Sequence, residues 1–267
     1  MIFEKPSLRT RVSFEVGMTQ LGGHALYLGP SDIQMGKRES VADIAGTLCR
    51  YVDLIMARVF KHEVVEELAN FAAVPVINAL SDLEHPCQIM ADLLTMLEHK
   101  KKLEGLKVAF VGDGENNVTH SLAVGCGKLG IDFRVANPKG YSMTRKIVEE
   151  AQIFAKKSGG KINEFLNPQQ AVEGVDVVYT DTWISMGDEK EKAKRLAAFK
   201  GYQVTKSLMN KAKPDAVFMH DMPAYRGNEV SAEVIDGPRS IIFDQAENRL
   251  HAQKGIMVFL IKSLISK

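Results

Sequence analysis

Cysteine is scarce in this chain, with three in 267 residues: Cys49, Cys87 and Cys126. An odd number at scattered positions builds no disulfide framework, and no C-x-x-C or Cys/His spacing of a metal site is present. A reducing, cytoplasm-like compartment and a site without metal are therefore expected. Net charge is scarce as well, because 34 Lys and Arg face 33 Asp and Glu and leave a formal +1. No global field is available to hold nucleic acid or an anionic membrane, so any anion must be gripped locally. Long hydrophobic runs are missing too: none approaches the roughly 18 to 20 apolar residues of a membrane span. There is no internal repeat and no low-complexity tract. The chain reads as soluble and is long enough for two lobes of ordinary size. It opens on Met1-Ile2-Phe3, an apolar strand-like run leading straight into a charged motif. A domain seldom starts in mid-strand, and a further N-terminal piece is expected to precede it.

Short apolar runs alternate with amphipathic stretches, the pattern of α/β layers with mainly parallel sheets. Strands are expected at 2–3, 24–28, 54–57, 74–79, 107–111, 132–136, 175–179, 216–219 and 240–243. Helices are expected at 10–21, 40–50, 62–71, 88–100, 119–129, 144–158, 167–172, 192–199, 205–211 and 245–263. The predicted fold is two doubly wound lobes. The charged stretch from His99 to Gly105 separates them, so residues 1–100 form one domain and 101–267 the other, with 245–267 packing back on the first.

Several segments between strands and helices carry chemistry. Phe3-Glu4-Lys5-Pro6-Ser7-Leu8-Arg9-Thr10-Arg11 ends a strand in hydroxyl and guanidinium groups as a helix begins, which suits a phosphate cradle. A Ser N-cap followed by solvated arginines explains the same residues without a ligand. Asp82-Leu83-Glu84-His85-Pro86-Cys87-Gln88 places His85 and Gln88 where both can donate to an acyl oxygen that gains charge; the plain alternative is an ordinary loop histidine. Arg58, after the apolar run 54–57, is a third donor at a strand's carboxyl end, or a surface arginine.

Phe110-Val111-Gly112-Asp113-Gly114-Glu115-Asn116-Asn117 resembles a dinucleotide turn, but Asn117 stands where the third glycine belongs. A nicotinamide cofactor is not expected. The paired asparagines offer amides to a small polar ligand, or cap a helix. Asp181-Thr182-Trp183-Ile184-Ser185-Met186-Gly187 sets a carboxylate, the single tryptophan and a hydroxyl together, as an ammonium on an aliphatic chain requires. His220-Asp221-Met222-Pro223-Ala224-Tyr225-Arg226-Gly227 packs acid, base and guanidinium into one turn. Either segment alone also reads as a polar loop.

Taken together, these segments resemble the aspartate/ornithine transcarbamoylase family, and its ornithine carbamoyltransferases most. The F-x-K-x-S-x-R-T-R, H-P-x-Q, D-x-x-x-S-M-G and E-N-R-x-H-x-Q-K signatures occur in family order, the last as Glu247-Asn248-Arg249-Leu250-His251-Ala252-Gln253-Lys254. The resemblance implies transfer of a carbamoyl group from carbamoyl phosphate to ornithine in the biosynthesis of arginine, with no cofactor. Ser7, Leu8, Arg9, Thr10, Gln34, Arg58, His85, Gln88 and Arg249 fall at carbamoyl phosphate-binding positions. Asn117, Asp181, Ser185, Met186 and Met222 fall at ornithine-binding positions. Arg58, His85, Gln88, Asp221 and Arg249 form the expected catalytic set. The resemblance also implies a homotrimer, or a multiple of one, in which Gln34 is lent to a neighbouring subunit's site.

Two substitutions depart from the ornithine enzymes. Leu8 stands for their usual Thr, which also brings to mind enzymes that take acylated ornithine. Asp221 and Met222 stand for Cys-Leu. Asp221 has two readings: a carboxylate beside the δ-amine, attracting it and accepting its proton, or a loop carboxylate paired with Arg226 or Arg249. The alternatives to ornithine are acetylornithine, putrescine or lysine as acceptor, and a non-catalytic metabolite-binding relative.

Overall fold

A computed structural model describes residues 1–184 and 189–265. Ser185 and Met186, two of the expected ornithine-binding residues, lie outside the described residues. By contact the chain divides into two compact units, Met1–Ala91 with Ala246–Lys267, and Asp92–Gln245.

The first unit contains β1 (Ile2–Phe3), α1 (Leu8–Gln20), α2 (Pro30–Ile33), α3 (Val41–Leu48), β2 (Ile55–Arg58), α4 (His62–Phe71), β3 (Val76–Leu80) and the start of α5 (Pro86–Lys100). Its sheet runs β1-β2-β3, all parallel, with Ile2 opposite Ala57 and Ile55 opposite Val76. Successive side chains point to opposite faces of a strand, so a parallel sheet covered on both sides needs apolar residues at every position. Ile2, Ile55 and Ala57 accordingly pack with Val41, Ala45 and Leu68 of α3 and α4. Phe3, Met56 and Ile77 pack on the other side with Phe14 of α1 and with Met257 from the C-terminal segment.

The second unit takes the rest of α5, then β4 (Lys107–Val111), α6 (Asn117–Lys128), β5 (Asp132–Ala136), α7 (Arg145–Ser158), β6 (Lys161–Phe165), α8 (Pro168–Val172), β7 (Val177–Tyr179), α9 (Lys192–Ala198), α10 (Lys206–Met209), β8 (Val217–Met219), α11 (Ala232–Ile235) and the start of α12 (Ile242–Ile265). Its five parallel strands run β6-β5-β4-β7-β8. Strand order reverses between β4 and β7, and such a switch point opens a crevice at the strands' carboxyl ends. The turns after β4 and β7 carry Asp113–Asn117 and Asp181.

Three expectations need correction. Residues 24–28 form no strand; only Leu28 bridges, to Ile2. Residues 240–243 bridge at Ser240 to Phe218, and from Ile242 onward they begin α12. The strand β6 was not anticipated: it is a sheet edge on which only Ile162 is buried, so no apolar run marks it. The division by contact falls inside α5, at Ala91 and Asp92, and that helix ends at Lys100, within the first two residues of the charged stretch.

Candidate active site

In the first unit, the carboxyl ends of the three strands deliver the expected residues. After β1 the chain turns into α1, whose N-cap Ser7 accepts a hydrogen bond from the Thr10 N–H at 3.3 Å. The remaining first-turn N–H groups of a helix have no intrahelical partner, which makes this an anion-binding end. Leu8 is its first residue and is 75% exposed, so its side chain contributes nothing to the core and its N–H belongs to that first turn. Arg58 ends β2 and is buried. His85 and Gln88 follow β3 at the start of α5 and are also buried.

Arg249, from α12, holds this set in place. It donates to Gln88 Oε1 at 2.6 Å and to Thr10 Oγ1 at 3.1 Å, two neutral acceptors that it fixes in place while keeping its charge. Gln253 braces it: with its amide oxygen facing the guanidinium it accepts from Nη2 and Nε at 2.9 and 3.1 Å, while its N–H reaches Ser13 at 2.6 Å. An amide oxygen has two lone pairs, so Gln88 Oε1 can accept from a further N–H while it accepts from Arg249. Burial pushes the His85 imidazole well below its usual pKa, and the charges of Arg249, Arg58 and Arg9 push it the same way. His85 is therefore neutral at pH 7 and can act as a hydrogen-bond donor amid positive charge. Gln34 is exposed at the C-cap of α2 in the left-handed region (φ 45°), where its carbonyl accepts from Lys37 and Arg38.

In the second unit, Gly112-Asp113-Gly114 turns β4 into α6. A Cβ on Gly114 would collide with the Tyr141 carbonyl and stand 2.9 Å from the Met143 nitrogen, so this glycine serves close backbone packing. Asn116 caps α6 by accepting from the Val118 N–H at 2.7 Å, and its amide donates to Asp181 Oδ2 at 2.6 Å. Asn117, the expected ligand, is the first residue of α6 and is half-buried. Asn116 was missed as a site residue because a helix cap explains it fully, although the cap leaves its amide free to orient Asp181. Arg195 of α9 donates to the Trp183 carbonyl at 2.6 Å and pairs with Asp113, tying the loop after β7 to the turn after β4. Burial pushes the Asp113 carboxyl up to about 6 against the pull of Arg195.

The loop after β8 is built around His220, which is fully buried. Its Nδ1 accepts from the Met222 N–H at 2.9 Å, so Nε2 carries the proton and donates to Glu229 at 3.2 Å. Asp221 does not pair with Arg226, whose fork grips Asp236 at 2.5 and 2.9 Å. It lies instead with Asp181 and His220, with one polar atom of each within 4.8 Å of the others. Since both imidazole nitrogens are engaged, what this group offers is two carboxylates, an arrangement that suits an ammonium better than a metal needing a free imidazole lone pair.

Two domain models match the chain: the carbamoyl phosphate-binding domain of aspartate/ornithine carbamoyltransferases over residues 1–98 and their Asp/Orn-binding domain over residues 104–260. The chain belongs to the aspartate/ornithine carbamoyltransferase family. It is 55% identical over 260 residues to an ornithine carbamoyltransferase of Caldicellulosiruptor saccharolyticus, covering 97% of this chain and 84% of that one. The ornithine carbamoyltransferase of Bacillus subtilis is also 55% identical, covering 96% of this chain and 80% of its own length. The solved ornithine carbamoyltransferase of Pyrococcus furiosus superposes with a TM-score of 0.95 at 53% identity, covering 98% of this chain and 83% of that one. Among the described residues, no helix is long and apolar enough to cross a membrane.

Proposed function

We infer that the chain is an ornithine carbamoyltransferase, which moves the carbamoyl group of carbamoyl phosphate to the δ-amine of L-ornithine and releases L-citrulline and phosphate. The observation that carries this reading is the convergence of Arg9, Arg58 and Arg249 charge on one buried, neutral imidazole, His85. A dianionic phosphoryl group needs those cations, and a carbonyl oxygen gaining charge needs the neutral donor.

In this reading Ser7, Arg9 and the first-turn N–H groups at Leu8 and Arg9 take the phosphate. Arg58, His85 and Thr10 take the carbamoyl oxygen, and Gln88 takes the carbamoyl amide. The lone pair of the neutral δ-nitrogen forms the new C–N bond, the C–O bond to phosphate breaks with its electron pair leaving on the phosphate, and the proton shed by the attacking nitrogen passes to that departing phosphate. Arg249 acts by holding Gln88 and Thr10 at the reacting group. Asp181 and Asp221 attract the ammonium groups of ornithine, while Asn117, Ser185, Met186 and Met222 complete its site. The same reading takes the molecule as a cytoplasmic homotrimer, or a multiple of one, with Gln34 lent to a neighbour's site. The Pyrococcus furiosus relative's designation as anabolic supports a biosynthetic direction.

Paired carboxylates favour a substrate with two ammonium groups and weigh against an acylated ornithine, which has only one. Carbamoylation of ornithine, acetylornithine, putrescine and lysine should therefore be compared directly. Ornithine should lead by at least about a hundredfold in kcat/KM. Equal or greater turnover of acetylornithine would overturn the assignment.

A further inference from the structure

Beneath the two ornithine-side loops lies a buried polar cluster with no part in the chemistry above. Tyr179 ends β7, two residues before Asp181, and pairs in register with Met219, two residues before Asp221. Its hydroxyl donates to Asp92 Oδ2 at 3.0 Å. Gln245 Nε2 donates to Asp92 Oδ1 at 2.7 Å and to the Tyr179 oxygen at 2.9 Å, which closes a triangle. Gln245 Oε1 then accepts the backbone N–H of His220 at 2.9 Å. All three side chains are fully buried.

Each donor and acceptor in this triangle has one consistent assignment. Oε1 of Gln245 must face an N–H and its NH₂ must face a carboxylate, so the amide cannot turn over without breaking three bonds. The tyrosine stays protonated, because burial and the Asp92 charge both push its pKa well above 10. A buried carboxylate is costly to keep, and apolar residues of similar volume could fill the space. Its position offers a reason for it: one corner sits at the root of the Asp181 loop, and another holds the root of the Asp221 loop.

We propose that Tyr179, Asp92 and Gln245 are positioning residues for the amine substrate, setting the separation of Asp181 and Asp221 from below. The proposal rests on the reading that these two carboxylates face ornithine.

Tyr179→Phe removes one oxygen and keeps the ring, so it loosens the triangle without opening a cavity. In the full-length enzyme it should raise the KM for ornithine about tenfold and leave the KM for carbamoyl phosphate within about twofold. Asp92→Asn should give the same split, because an amide must present a donor where the triangle needs an acceptor. A role in folding alone would lower thermal stability and leave both KM values near wild type. That result in either folded variant, or an equal rise in both KM values, would overturn the proposal. If Tyr179→Phe does not fold, Asp92→Asn decides the matter, and failure of both to fold would assign the triangle to folding and reject the positioning role. If wild-type protein failed to carbamoylate ornithine, the functional reading would fall before this one is reached.

Discussion

The two units solve the same topological problem with opposite charge. In each, parallel strands end in loops that carry the polar residues, yet the first unit gathers Arg9, Arg58 and Arg249 around His85 while the second gathers Asp181 and Asp221 beside His220. The histidines show the contrast most clearly. Both are buried, but His85 is held neutral amid guanidinium groups, whereas His220 donates to Glu229 and accepts from the Met222 backbone, so its ring is consumed in shaping a loop. On the proposed function, the same residue type at the same kind of position is a chemical group in one unit, while in the other it is a structural peg. Position at a strand's end is thus not enough to assign function; the charge of the neighbours decides.

The strongest way to break this comparison is to remove the imidazole that it makes chemical. His85→Ala should lower kcat on the order of a hundredfold to a thousandfold, the usual loss of an oxyanion-type donor, with circular dichroism unchanged. Because the folded imidazole has a lowered pKa, it stays neutral as pH falls through 6.5, where it would be charged in the unfolded chain; whatever stability depends on the neutral ring is present above that pH and is lost below it. The pH–rate profile of wild type should therefore show no inflection near 6.5 from this residue. A loss confined to the KM for ornithine would place His85 on the wrong side of the comparison.

A smaller effect is expected from Asp221→Asn, which sharpens the other half. A carboxylate near the substrate amine favours the ammonium, and removing its charge favours the reactive neutral amine. Binding should weaken, with the KM for ornithine rising several-fold, about tenfold at most. The acid limb of the kcat profile, which reports ionisations in the enzyme–substrate complex, should move to lower pH by about one unit. An unshifted limb together with lost thermal stability would make Asp221 a loop carboxylate after all, and a large fall in kcat at saturating ornithine would instead favour proton acceptance by Asp221.

Much of the first unit's candidate site was legible in the sequence because each motif directly follows its strand: Ser7 to Thr10 after β1, Arg58 at the end of β2, His85 and Gln88 after β3. Carboxyl-end loops of parallel strands are where such chemistry collects, so reading the strands amounts to reading the site. Recognising the ordered signatures did the rest. The second unit was harder. Asn116 and Asn117 are indistinguishable in a sequence, and only the fold shows that Asn116 both caps α6 and grips Asp181. Tyr179 reads as one more apolar strand residue, and Asp92 and Gln245 as polar helix positions, because burial of a polar group leaves no local pattern. The strand β6 was invisible for the opposite reason: an exposed edge carries no apolar run.

The smallest expected effect uses two buried thiols as reporters, one in each unit. Cys87 follows Pro86 at the start of α5, beside His85 and Gln88, and its Sγ donates to the Asn78 carbonyl at 3.3 Å. Burial pushes its thiol up to about 11, even against the charge of Arg249. Cys126 is buried on α6, and burial together with the Asp92 charge raises its thiol further. Neither is thiolate at pH 8, so each should react with a thiol reagent only when its own surroundings open, while the partly exposed Cys49 reacts first. A ligand that binds one unit should suppress opening there by a factor that grows as one plus the ratio of its concentration to its dissociation constant. Carbamoyl phosphate alone should therefore slow Cys87 by about tenfold at ten times its dissociation constant and leave Cys126 nearly unchanged. Adding norvaline, an ornithine mimic without the reactive amine, should then slow Cys126. Mass spectrometry of the labelled peptides resolves the three sites. Equal protection of both thiols by carbamoyl phosphate alone would mean that the two units open as one, and the division of labour between a cationic and an anionic half would have to be given up as a description of their stability, even if it survived as one of their chemistry.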